Sequence, residues 1–452
     1  MSINLSITIV IAFIALVSVS ILQKKIKAWR ILLFGSLIFY AFNAGLTGLI
    51  FILFYTLFVF FAGKNVEKKA FKAQYFVLII CTLLPLLFLK FSFLFVQNRT
   101  KTLEILGISY ITFNALSYLF DIKKSYIVAE NSYERLLLYL SYFPYVSAGP
   151  LQRYKKTIRQ FTDRIEFSNE NFSAGFRLVL WGIFKNLVLA QKLKVVVDRI
   201  MDEPSTYQGI IVLIGGLLFF LQLYCDFSSY IDIYQGISRI FGIRLNPNFG
   251  NRVYLSNSRQ NFWKGWHITL NHWFRDYFFF AIAKNIKSKN ANNIATFITF
   301  LLIGLWHEIS IKFLIWSILN ATWILLERNY QQYFEVFSTN FRKIAGVFYH
   351  LIIAAFLAIF FRSNDFKSSI NALFLSSNFR FLNETTLIKQ FIFIPPLFLF
   401  MDFINRKANQ QSIDEYIATL SFTKRWLIYI LLTILILFFG LTPQQNFYYT
   451  RF

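Results

Sequence analysis

Charge is scarce in this chain, and acidic charge scarcer still. Of 452 residues only 15% are charged, with 22 Asp and Glu against 46 Lys and Arg. A soluble chain of this length is expected to carry about a quarter charged residues and to divide into several domains. No polar stretch here is long enough to make one. Cysteine is nearly absent: Cys81 lies in an apolar run and Cys225 at the end of another. That excludes a disulfide framework and a cysteine zinc site, and makes a cysteine nucleophile a poor candidate. No metal site and no bound cofactor is expected. Nucleic acid is not an expected partner either, because no basic module stands apart from the apolar runs.

Hydrophobic residues are what the chain has instead. They make up 56% of it, the mean hydropathy is +0.52, and apolar runs recur from end to end. The expected class is an all-α polytopic membrane protein, one integral-membrane domain over residues 1–452. About ten to twelve membrane helices, with short re-entrant or interfacial pieces, are expected around a central polar tunnel. The apolar segment 4–22 is followed, not preceded, by positive charge at Lys24, Lys25, Lys27 and Arg30. It lacks an obvious basic n-region and cleavage site, and reads as a retained first helix whose charged end faces the cytoplasm. The net charge of +24 is spread over short segments such as GKNVEKKAFK (63–72) and RYKKTIRQFTDR (153–164). Positive-inside bias and attraction to anionic lipid account for it; a second reading is a basic cytoplasmic mouth for a phosphorylated donor such as a coenzyme A thioester.

Simple spans are expected at 4–22, 75–97, 174–196, 209–225, 344–361 and 426–442. Residues 31–63 carry no charge for 33 residues, about 50 Å of helix against a hydrocarbon core of about 30 Å. A break or strong tilt is therefore expected near Asn43-Ala44-Gly45. Residues 294–326 are as long and contain His307, Glu308 and Lys312. The weaker segments 108–120 and 139–150 read as short or re-entrant pieces, which survive at membrane depth only under protein cover or beside a wet cavity. No internal repeat is evident, which argues against a secondary transporter built from related halves.

Three polar clusters carry the candidate chemistry. In WKGWHITLNHWFRDY (263–277), read as one helix, Trp263, Trp266, Leu270, Trp273 and Tyr277 share a face. Lys264, His267, Asn271 and Arg275 share the opposite face. The plain reading is an interfacial helix with a tryptophan belt, and His272 and Asp276, four apart, can pair with each other. His307 and Glu308 sit inside an apolar run, where ionisable residues are costly and usually face a functional cavity. A neutral imidazole there can take a proton from a hydroxyl nucleophile and return one to a leaving group; a buried structural histidine is the alternative. Pairing with Lys312 is the first expectation for Glu308. In QLYCDFSSYIDIYQGISRIFGI (222–243), Asp226 and Asp232 enter at the end of an apolar run. Structural pairing with Arg239, Arg244 or Arg275 is favoured over a proton relay. His350, without polar company in VFYHLII, reads as structural.

Taken in order, these blocks resemble the membrane-bound O-acyltransferase family, in particular its bacterial branch of alginate O-acetyltransferases and teichoic-acid D-alanyl transfer proteins. A Trp-His-aliphatic-Ser/Thr-Leu block followed by Arg-Asp-Tyr stands here as Trp266-His267-Ile268-Thr269-Leu270 and Arg275-Asp276-Tyr277. The family's later Gly-Leu-Trp-His is matched by Gly304-Leu305-Trp306-His307. GISYITFNALSYLFDI (107–122), AGPLQRY (148–154), YCDFSSYIDI (224–233) and NFYYTRF (446–452) look like further counterparts. The chain departs from the pattern in three places. FFFAIAKNIKSKNANN (278–293) replaces a Pro-Leu-Gly-Gly turn, Glu308 follows the second histidine where glycine is common, and Ser229 replaces the glycine of Asp-Phe-Ser-Gly-Tyr.

The resemblance implies His307 as general base and His267 as its partner, orienting substrate or supporting charge. Trp306, Trp266, Asn271, Arg275, Asp276, Asp226 and Glu308 would line or support the site. It further implies acetyl-CoA or another acyl thioester as co-substrate from the cytoplasmic face and an envelope glycan as acceptor. An extracytoplasmic acyltransferase partner protein and a location in the inner (cytoplasmic) membrane also follow from it. A D-alanyl transferase using a carrier-protein thioester is the alternative within the family. A proton-coupled transporter or flippase using Asp226, Asp232 and His307, and an inactive scaffold, are the alternatives outside it.

Overall fold

The computed structural model describes residues 14, 27–68, 71–95, 105–146, 148–163, 168–203, 206–330, 339–363, 365–377, 385–409 and 411–441. The expected first span at 4–22 and the segment 446–452 lie outside the described residues. Among those described the chain is helical, with one isolated antiparallel bridge and no strand. Among the described residues seven helices are long and apolar enough to cross a membrane. The protein is thus an all-α polytopic membrane protein. Its residues group into two compact units, the first drawn from Met1–Val179 and Ile233–Asn246, the second from Leu180–Asp232 and Pro247–Gln444.

The first unit begins with α1 (Ala28–Glu67), which leaves helical geometry at Gly45, with φ 66° and ψ −174°. That is the break its length demanded. A Cβ at Gly45 would meet nothing within 4 Å, so the left-handed backbone, not crowding, selects glycine there. The arms on either side are about 26 and 33 Å long at 1.5 Å per residue, each close to one hydrocarbon thickness. Beyond it come α2 (Lys72–Phe95), α3 (Ile108–Lys123), α4 (Tyr133–Ser141), α5 (Phe143–Val146) and α6 (Tyr154–Thr162). The short α3, α4 and α5 are largely buried, as backbone of marginal apolarity has to be at this depth. Tyrosine hydroxyls donate to backbone carbonyls in this unit: Tyr40 to Leu106 at 2.7 Å, Tyr133 to Leu53 at 2.8 Å and Tyr139 to Gln152 at 2.8 Å.

The boundary between units falls within α7 (Asn169–Ile183), which runs on through a π-helical turn at Phe184–Ala190 into α8 (Gln191–Met201). Next is α9 (Ile210–Ile240), longer than the expected 209–225 because Asp226, buried, and Asp232, partly buried, lie within it rather than ending it. Then come α10 (Arg259–Gly265), α11 (Ile268–Phe274), a second π turn at Arg275–Phe279, α12 (Phe280–Asn285), α13 (Ala291–His307) and α14 (Ile311–Tyr330). The second unit closes with α15 (Thr339–Arg362), α16 (Phe366–Leu373), α17 (Thr385–Ala408), α18 (Ile413–Thr419) and α19 (Phe422–Phe439). The apolar stretch 294–326 is two helices, not one. α17 was not among the expected spans; Pro395 and Pro396 interrupt its pattern without ending the helix.

Candidate active site

The segment 263–277 is not one helix. It breaks at Trp266-His267, where His267 takes a left-handed backbone with φ 46° and ψ 51°. A non-glycine residue in that region costs on the order of 1–3 kcal/mol and persists only when its surroundings hold it. Here the hold is a short extended segment, Asn248-Phe249-Gly250, lying antiparallel to the break. Gly250 N–H donates to the Gly265 carbonyl at 2.7 Å, Ile268 N–H to the Asn248 carbonyl at 2.9 Å, and Phe249 bridges Trp266. Two glycines face each other there; a Cβ on Gly250 would come within 3.1 Å of Gly265 Cα. The Asn271 amide closes the far side, donating to the carbonyls of Trp263 at 2.8 Å and Trp266 at 2.5 Å. Asn271 therefore caps the end of α10.

The break cancels the two-faced reading of 263–277. His267 does not share an exposed polar face with Lys264 and Arg275; it is 2% exposed. Its Nδ1 lies 3.3 Å from the Asn248 side-chain oxygen, which also accepts from the Thr269 backbone N–H at 3.1 Å and the Thr269 hydroxyl at 2.9 Å. The imidazole packs edge-on to Phe227 of α9 at 4.8 Å between ring centres. Burial pushes its pKa down to about 3, so it is neutral at physiological pH.

The second Trp-His pair ends α13. Gly304 lets that helix approach α14: a Cβ there would stand 2.7 Å from Ser317 Cβ and 2.8 Å from the Phe313 carbonyl oxygen. Glu308 then turns extended, with φ −158° and ψ 139°, and the chain re-enters helix at Ile311. Its carboxylate meets Lys312 Nζ at 3.5 Å, the pairing expected from their spacing. His307 is buried among aromatic rings, at 5.6 Å from Phe313, 5.6 Å from Trp316 and 5.2 Å from Phe361 of α15. Trp306 joins the blocks. Its ring is 4.5 Å from His307 and 6.2 Å from His267.

The aspartate cluster meets a polar pair on the first π turn. Lys185, on the first π turn, sits 2.7 Å from Asp232 and donates to Ser228 at 2.7 Å. Asn186 beside it donates to Asp226 at 3.2 Å and Ser229 at 3.1 Å. The arginines of that expectation go elsewhere: Arg239 lies 4.0 Å from Glu170, and Arg275 pairs with the adjacent Asp276 at 2.9 Å. Arg275 and Asp276 are half-exposed. The partner was readable in outline, as Lys185-Asn186 is a polar pair inside the apolar run 174–196. Its register against α9 was not, since that is set by packing.

His350 has the polar company denied to it from sequence. Arg259, 3% exposed, places NH1 at 3.4 Å from His350 Nδ1 and donates through NH2 to Asn320 at 2.7 Å. The Trp263 indole shares the same Asn320 oxygen at 3.2 Å, and Glu327 accepts the Arg259 and Gln260 backbone N–H groups at 2.7 and 3.0 Å. This network fastens α10 to α14 and α15 and so fixes the end of the helix that leads into His267. Asn248, which touches His267 directly, had no mark in the sequence beyond its place after Pro247.

Residues 36–364 match the family model of MBOAT, the membrane-bound O-acyltransferase family. The protein named "Probable alginate O-acetylase AlgI" in Pseudomonas putida is 32% identical over 231 residues, 51% of this chain and 47% of that protein. The peptidoglycan O-acetyltransferase of Helicobacter pylori is 27% identical over 388 residues, 77% of this chain and 73% of its own. The teichoic acid D-alanyltransferase of Bacillus subtilis is 28% identical over 234 residues, 48% of this chain and 58% of its own. The chain spans about half the length of the alginate-type relatives it matches.

Proposed function

As the chain belongs to the membrane-bound O-acyltransferase family, we propose that it moves a short acyl group, most simply acetyl, from a cytoplasmic thioester such as acetyl-CoA to a hydroxyl of an envelope polysaccharide. A hydroxyl on an extracytoplasmic partner protein is the other acceptor this chemistry admits. The location would be the inner (cytoplasmic) membrane. One observation carries the reading: two Trp-His blocks forty residues apart in sequence meet through the Trp306 ring in a buried centre.

In this reaction His307 acts as general base. It takes the proton of the acceptor hydroxyl as the oxygen attacks the thioester carbonyl, and the tetrahedral intermediate collapses with loss of the thiol, which receives the proton back. His267 orients the acceptor. The aromatic rings around His307 exclude water, which would otherwise hydrolyse the thioester and screen the developing charge. Asp226 and Asp232 serve the scaffold through Asn186 and Lys185. A D-alanyl transfer from a carrier-protein thioester is a second reading, favoured by the likeness to the teichoic acid D-alanyltransferase.

The test is transfer of labelled acetyl from acetyl-CoA to envelope material in membranes holding either the wild type or His307→Ala at matched abundance. Transfer that disappears in the variant supports acetyl transfer centred on His307. Equal transfer by both removes His307 as the base. No transfer by either, with transfer restored by a D-alanyl-charged carrier protein, moves the assignment to the second reading.

A further inference from the structure

We infer that Asn248 is a positioning residue that fixes the tautomer of His267, holding its proton on Nδ1 and leaving the lone pair on Nε2. This deepens the reading of His267 as part of an acyl-transfer site and rests on it. Thr269 sets the orientation of the Asn248 amide. Its backbone N–H can only donate, so the Asn248 atom at 3.1 Å from it is the amide oxygen and not the nitrogen. A flipped amide would set an NH2 group against that N–H and against the backbone turn it closes. The Thr269 hydroxyl, 2.9 Å away, holds the same oxygen.

An amide oxygen accepts and never donates. The 3.3 Å contact to His267 Nδ1 is therefore an N–H to oxygen bond, and Nδ1 carries the hydrogen. In a neutral imidazole the other nitrogen is then an acceptor. The ring is neutral because it is buried. Asn248 comes from the extended segment, Phe227 from α9 and Trp306 from α13. Of the titratable groups beside them, Asp226 accepts from Asn186, and His307 is itself an imidazole.

This divides the work of the two histidines. An acceptor-only Nε2 can hold the hydrogen of a substrate hydroxyl and so aim its oxygen. It cannot donate to the oxygen of the thioester as negative charge develops there. The left-handed turn at His267 and the glycine pair Gly250 and Gly265 then have a purpose beyond folding: they bring a backbone segment close enough for an asparagine to reach the ring from behind.

The experiment has two arms on the full-length protein in membranes. In the first, nitrogen-15 histidine spectra of the wild type are compared with His267→Gln to assign the His267 signals among the four histidines. The expected result is Nδ1 protonated and Nε2 unprotonated across pH 5–8; a protonated Nε2, or a ring that titrates in that range, overturns the inference. The second arm measures the pH profile of label transfer for Asn248→Ala and Asn248→Asp. A carboxylate against Nδ1–H favours the imidazolium, so Asn248→Asp moves the acid limb up by at least about one pH unit, with activity recovered above it. Asn248→Ala lowers turnover without moving the limb. A residue that merely fills space would lower the amplitude in both variants and leave both profiles in place, and that outcome overturns the proposal. If Asn248→Asp does not accumulate, the spectrum of Asn248→Ala decides, because loss of the single Nδ1–H tautomer is expected there. Wild-type membranes that transfer no label from any donor, yet show the Nδ1–H spectrum, overturn the acyl-transfer reading and not this one.

Discussion

The two Trp-His pairs share a dipeptide and almost nothing else. At Trp266-His267 the backbone itself is bent out of the helical region, and polar groups surround the bend: the Asn271 amide, the Asn248 side chain and two backbone N–H groups. At Trp306-His307 the helix is regular to its last residue, and the histidine side chain is enclosed by Phe313, Trp316 and Phe361. The first imidazole is held by a hydrogen bond to Asn248, and the second lies in a shell of aromatic rings. Hydrogen bonds fix which atom carries a proton, whereas aromatic packing fixes position and excludes water.

The comparison is broken most severely by crowding the packed block. Gly304→Ala inserts a methyl against Ser317 and the Phe313 backbone, and overpacking of this kind costs about 1–3 kcal/mol or more. The same change at Gly265 meets Val253 Cγ2 at 3.0 Å, the end of a side chain that can yield. A thermal-inactivation series in detergent is expected to show a fall of several degrees for Gly304→Ala and a much smaller one for Gly265→Ala. Equal falls would mean that the two blocks tolerate volume alike.

A smaller effect is expected from Asn271→Leu, which removes both donors that cap α10. Unsatisfied carbonyls at a buried helix end cost about 1–3 kcal/mol. The loss should appear as faster proteolysis at the break, with the His307 surroundings, followed by Trp fluorescence, unchanged. The smallest effect belongs to Glu308→Gln. Its partner lies at 3.5 Å and a third of the carboxylate side chain is exposed, so the pair contributes about 1 kcal/mol or less. Both stability and the pH profile of transfer should match the wild type. A displaced profile would show that Glu308 acts on His307 as well as on Lys312.

Much of the fold was legible because membrane burial is read from runs, and runs are local. The helix break at Gly45 followed from length alone, and the Glu308 pairing with Lys312 from a spacing of four. What sequence could not carry was register between distant elements. The period of 3.6 set His267 opposite Trp266, but a left-handed residue resets the period, and nothing in WKGWHITL announces one. The partner of Asp232 was sought among arginines, which are frequent here, and proved to be Lys185, hidden in an apolar run. His350 was set aside for lack of polar neighbours in sequence, while Arg259 reaches it across 91 positions. In each case the missing information was which faces of two helices meet.

The Lys185 to Asp232 pair bears on how the protein is made. During synthesis, α7 with its π turn leaves the ribosome before α9, so a lysine is offered to lipid while its counter-charge is still to come. A single charge at the centre of an inserting helix carries a penalty of about 3 kcal/mol. α9 in turn brings two aspartates. Each segment is a poor passenger alone; together Lys185 offsets Asp232, and Asn186 donates to Asp226. The two helices are therefore suited to entering the bilayer as a hairpin, the first waiting at the insertion channel until the second arrives, and the short connection between Met201 and Ile210 keeps that wait brief.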